Sequence, residues 1–240
     1  MTATTKVSAV SLCLVALISA APALGWGVNK SISIDSGSEA GDQSTVNGSI
    51  SVGSNAVVNG SLETVNGTIR IDDSVQLDDA STVNGSIRIG DGVIADDIGS
   101  VNGSIRIGQN ATIGGEISVV NGRITLGAGS SVEDDVSNVN GELRISGTDI
   151  GGDLSTVTGD VWLMDSSTLR GDMIIEKPSG WGWGRSRKKP KVVIGPGSRV
   201  LGTIEAEHEI DLYISETAEV GDVRGEASLD EATRFSGDRP

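Results

Sequence analysis

Three groups of residues in this chain could do chemistry. The first is acidic. Asp78-Asp79, Asp96-Asp97 and Glu133-Asp134-Asp135 recur along the sequence, with Gly114-Gly115 interrupting them. Stacked carboxylates could hold Ca²⁺, which takes roughly six to eight oxygens, or supply the paired acids of a glycosidase. No Gly-Gly-x-Gly-x-Asp calcium repeat is present, and no unique acid breaks the pattern to mark a cleavage site. Solvated turn residues that oppose aggregation are therefore the expected reading. The single histidine, His208 between Glu207 and Glu209, is expected at the surface rather than as a base or ligand. With no phosphate loop, nucleophile elbow or Cys/His metal cluster in the sequence, an enzyme is not expected, nor a cofactor or bound metal.

The second group combines aromatic and basic residues. Trp181 and Trp183 sit among glycines and precede Arg185, Arg187, Lys188, Lys189 and Lys191. Five of the chain's 18 Lys and Arg residues thus fall in one short run. Indoles suit a polar–apolar interface and cations suit phosphate or carboxylate. This segment is the expected surface-binding site, toward anionic lipid, lipopolysaccharide or acidic glycan. The third group is a set of arginines, Arg70, Arg88, Arg106 and Arg144, at near-constant spacing with Thr125 in the gap.

The spacing of these residues follows from a repeat. Val-Asn-Gly begins at Val46, Val65, Val83, Val101, Val120 and Val139, and Val157-Thr158-Gly159 is an altered copy. Asn47, Asn66, Asn84, Asn102, Asn121 and Asn140 are therefore 18 or 19 residues apart, a period that signals a solenoid. After each asparagine the apolar residues alternate with the period of a strand. Ile87/Ile89, Ile105/Ile107 and Ile124/Leu126 are inward pairs, and Arg88 and Arg106 face out. A second apolar position follows, as at Ile113 or Val132, and a third at Leu62, Ala80, Ile98, Ile117, Val136 and Leu154. Three short strands per coil predict an all-β fold, a single-stranded, triangular parallel β-helix of 18 to 19 residues per coil, expected to be right-handed. The extra residue of the longer coils is placed between the second and third strands, where a turn can absorb it. Asn-Gly corners are expected to use positive φ, and stacked asparagines can hydrogen-bond amide to amide.

Composition agrees with that fold. Aromatics are 2% of 240 residues and glycine numbers 34, which excludes a core built on large rings. A net charge of −15 argues against nucleic acid as a partner. Residues 1–23 read as a signal peptide, with Lys6 before an apolar run and Ala21-Pro22-Ala23 as the cleavage site. The expected location is the periplasm, outer envelope or exterior. The only cysteine, Cys13, lies inside that leader. Residues 24–175 are expected to form the cornered coils, 176–191 an insertion loop, 192–225 further coils and 226–240 a polar tail or cap. Ser228 with Glu231 suggests a short helix there.

Ile194-Gly195-Pro196-Gly197-Ser198-Arg199-Val200-Leu201-Gly202-Thr203-Ile204 resembles bactofilins, the polymer-forming β-helices of bacteria. Thr156-Val157-Thr158-Gly159-Asp160-Val161 is similar to β-solenoids described as bacterial adhesins. The first resemblance implies end-to-end self-association without catalysis. The second implies a secreted adhesin or glycan-binding protein.

Overall fold

The computed structural model describes residues 28–178 and 189–240, so the expected leader lies outside the described residues. The chain winds through three faces in turn. Each face is one all-parallel sheet, of eleven, ten and ten strands. The 31 strands run from β1 (Ile32–Ile34) to β31 (Thr233–Phe235), and most hold two to five residues before a turn. This is a β-solenoid of about ten turns, with no helix among the described residues.

Hydrogen bonding joins each coil to the next residue for residue. Ile87 stacks between Ile69 and Ile105, and Arg88 between Arg70 and Arg106. The inward positions of the first face, from Ile50 and Val52 to Ile145, are all buried. The second and third faces add columns such as Val58, Leu77, Ala95 and Ile113, or Leu62, Ala80, Ile98 and Ile117. β-Branched residues dominate because they fill a narrow pleated interior with one preferred rotamer. The chain between Val58 and Leu62, or Ile113 and Ile117, is one residue longer than between Leu77 and Ala80. The extra residue of those 19-residue coils therefore sits at the corner after the second strand, as the repeat predicts.

The Asn-Gly corner differs from expectation in its mechanism. None of the six asparagines has positive φ, and of the glycines that follow them only Gly141 does. Glycine is required there by close approach. A Cβ on Gly67, Gly85, Gly103 or Gly122 would lie 1.9, 1.8, 1.7 and 2.0 Å from the glycine carbonyl oxygen of the preceding coil. The same carbonyls accept from buried hydroxyls on the third face. Thr64 donates to Gly48 O at 2.9 Å, Thr82 to Gly67 O at 3.2 Å and Ser100 to Gly85 O at 3.1 Å. Positive φ belongs to another corner, after the first strand, where Asn55, Ser74, Asn110 and Asp165 adopt 60°, 58°, 55° and 56°. Gly37, Gly92, Gly129, Gly147 and Gly197 fill the same role in five further coils.

The asparagine ladder itself is present. Each Nδ2 donates to the Oδ1 one coil back, at 2.8 to 3.0 Å from Asn66 through Asn140. Asn47 donates to Asn29 at 2.9 Å, a rung hidden in the sequence because Lys30 replaces the glycine. Thr158 ends the column by donating to Asn140 Oδ1.

Two features depart from the simple repeat. After β24 (Met173–Ile175) the sequence has no Asn-Gly, and the chain rejoins the first face at β25 (Lys191–Ile194). At the C-terminus no helix forms at Ser228 and Glu231. Turns lead instead to β31, which adds an eleventh strand to the first face and in which Phe235 is buried.

The corner mechanism predicts unequal costs for neighbouring substitutions. Asn102→Ala removes two exposed amide bonds and should cost about 0.5–1.5 kcal/mol. Gly103→Ala forces two coils apart and should cost more, by about 1–3 kcal/mol of overpacking. Urea denaturation of both variants measures this, and equal losses would contradict the close-approach account.

Candidate functional site

The outer surface of the first face carries the most distinctive set of exposed side chains. Its central outward column reads Ser33, Ser51, Arg70, Arg88, Arg106, Thr125, Arg144, Trp162, Val193 and Tyr213. Period-two alternation places all of them opposite the core. Arg70 is held loosely by Asp72 at 3.5 Å. Glu142 bridges Arg123 and Arg144, at 2.8 Å to each. Arg88 and Arg106 are exposed, and among the described residues neither forms an ion pair with an acid. Neighbouring cations one coil apart repel by about 1 kcal/mol in water, less with salt.

Beyond Arg144 the column turns aromatic. Trp162 and Tyr213 flank Val193, which is fully buried although it faces away from the core. Lys191 Nζ reaches over both rings, 4.9 Å from the Trp162 centroid and 4.5 Å from that of Tyr213. Such an arrangement holds a cation against two π faces. The Trp162 Nε1–H is buried and has no acceptor. Trp162, Arg144, Asp165 and Arg239 line a cleft of about 190 Å³. The sequence pattern showed the arginines. It did not single out Trp162 and Tyr213, although the same register would have placed them on this line.

The acidic corner serves the backbone. Asp79 Oδ1 accepts the Asp97 N–H at 3.2 Å, and Asp97 Oδ1 accepts that of Glu116 at 2.8 Å. Asp135, Asp153 and Asp172 accept the N–H of Asp153, Asp172 and Thr203 at 2.6, 2.7 and 2.8 Å. One member of each acidic pair is thus a hydrogen-bond acceptor for the next coil, a role beyond solubility. Among the described residues no group of three or more His, Cys, Asp or Glu side chains is arranged to hold a metal ion. Crowding has a cost at two flanking acids. Burial, then the charges of Asp135 and Asp97, raise the Glu116 carboxyl above its ordinary value, against a smaller opposing hydrogen bond from Ser118. Burial, then Asp42 and Asp79, do the same to Glu63.

Of the expected surface-binding residues, Trp181, Trp183, Arg185, Arg187 and Lys188 lie outside the described residues. Lys189 pairs with Glu209 at 2.9 Å, and that contact raises its pKa. Lys191 is engaged by the two rings, and its backbone N–H donates to Asp160 at 3.0 Å. His208 is half-buried, and its Nε2–H donates to Val157 O at 3.1 Å. It ties together two coils on either side of the one that carries the insertion. No described helix is long and apolar enough to cross a membrane.

Comparison with family models, with curated proteins and with solved structures found no match to this chain. The class it defines is therefore structural: a parallel β-solenoid repeat protein.

Raised carboxyl pKa values set a pH dependence with a definite sign. The folded state holds the Glu116 proton more tightly than the unfolded chain does, so ionisation costs stability at neutral pH. That cost is relieved as pH falls through the raised value toward the ordinary 4.5. Glu116→Gln should be more stable than the parent at neutral pH, and the difference should shrink on acidification. Melting curves across that range test it, and a gap independent of pH would contradict the assignment.

Proposed function

We propose that this chain is a non-enzymatic, exported β-solenoid that acts as a self-assembling scaffold module of the bacterial cell envelope. The observation that carries the reading is the state of the coil ends. Among the described residues each sheet has an edge strand at both ends. At the first coil these are β1, β2 (Glu39–Ala40) and β3 (Gln43–Thr45). At the other end β29 (Glu219–Val220) and β30 (Val223–Gly225) are the last strands of their sheets, whereas the first face is extended by β31. Parallel edges with unpaired backbone groups are templates for another coil. A second copy stacked on the axis would continue the ladders already running through the rod. The resemblance to bactofilins supports the same reading, and the expected leader supports an envelope location. The resemblance to adhesin-type solenoids supports an alternative, a secreted protein that binds glycans or anionic surfaces.

Sedimentation velocity and negative-stain electron microscopy of the leaderless protein test axial assembly. Size should rise with concentration, and rods should lengthen without widening. Ile32 donates its N–H to Ser49 O at 2.9 Å, so strand alternation turns the Ser33 N–H away from the neighbouring coil. Ser33→Pro should then block elongation and leave the melting temperature nearly unchanged. Monomers at every concentration would refute the scaffold reading.

A further inference from the structure

The arginine column ends at an aromatic cleft, and together they make a continuous line along the rod. Arg70, Arg88 and Arg106 stand in direct register on adjacent coils, about 4.8 Å apart. Thr125 leaves a gap, Arg144 follows, and Trp162 is next in register. Arg239, from the C-terminal segment, completes one wall of the cleft at that point. We propose that this line binds a linear acidic polysaccharide with one carboxylate per sugar, lying parallel to the solenoid axis.

Four features select that ligand. First, stacked like charges without acidic partners are a standing repulsion that a matching row of anions would remove. Arg88 and Arg106 are in that condition. Second, a guanidinium fork accommodates a carboxylate with two parallel hydrogen bonds. Each sugar of a uronic-acid chain carries one such carboxylate. Third, the line is one residue wide and runs along the axis, which fits a chain better than a sheet of lipid headgroups. Fourth, it ends on Trp162, whose indole offers a flat apolar surface to the C–H face of a sugar ring. On the line itself Asp72 lies beside Arg70, Glu142 bridges Arg123 and Arg144, and Asp165 lines the cleft, so the unopposed charge is that of Arg88 and Arg106.

This inference concerns the side of the rod and does not depend on assembly at its ends. Titration calorimetry with a defined oligogalacturonate at low and high salt provides the test. Binding should be salt-sensitive and weaken by roughly tenfold or more in Arg88→Ser/Arg106→Ser, with a shallower salt dependence. Full methyl esterification of the oligomer should have a comparable effect. Trp162→Ala should weaken binding while leaving the salt dependence in place. Melting temperatures of the variants verify that they fold, and the two arginines are exposed enough to replace without loss of core. Equal binding by parent and double variant would overturn the proposal, as would no binding at low salt. Equally tight binding of an oligothymidylate would show a charge sink without sugar recognition and would also overturn it. So would association of the protein with itself that excludes the oligomer and disappears in the double variant, because the column would then face the acidic corner of a second copy.

Discussion

Every coil must fit the next at the spacing of a β-ladder, and the tightest point of that fit is the glycine corner. There, backbone approaches backbone so closely that a single methyl group would overlap a carbonyl oxygen, as at Gly103 and Gly85 O. The rest of the structure follows from this contact. Inward isoleucines stack because the corner fixes their height. Thr64, Thr82 and Ser100 lie inside an apolar interior because the crowded glycine carbonyls need donors that water cannot supply. Outward residues inherit the same register, which is how four arginines and a tryptophan come to lie on one line.

Much of this was legible in the sequence because a solenoid writes its contacts at a fixed interval. The inward pairs, the three faces and the corner that absorbs the extra residue all followed from counting. The mechanism of the corners did not. A repeated Asn-Gly shows that a position is constrained but not by what, and both left-handed backbone and steric crowding select glycine. The left-handed corner was less visible because Gly92, Asn110, Gly129 and Asp165 share a backbone conformation rather than a residue type. The final strand was missed for a related reason. Thr233–Phe235 pairs with β28 (Asp211–Ser215) one position out of the usual alternation, so no periodic signal announced it.

The candidate site was partly legible on the same grounds. Charged residues at a constant interval are conspicuous in a chain with few cations, and the arginines were found that way. Trp162 and Tyr213 take part through register alone, separated by the insertion between β24 and β25. Lys191 illustrates the limit of composition as a guide. Counted among the basic residues of the expected surface-binding run, it also lies over two rings on the outside of the fold. The acidic corner makes a similar point, since carboxylates that resemble a metal site are occupied by backbone amides of the next coil.

The asparagine ladder gives the rod a direction. Every side-chain amide from Asn47 to Asn140 donates toward the first coil and accepts from the next. The dipoles therefore add along the axis, and each bond polarises its neighbours. Turning one amide over would set oxygen against oxygen on one side and hydrogen against hydrogen on the other, so the orientation is collective. The column runs from the Asn29 amide at one end to the Thr158 hydroxyl at the other. The two ends of the ladder are thus chemically unlike: one is an amide, and the other is closed by a hydroxyl.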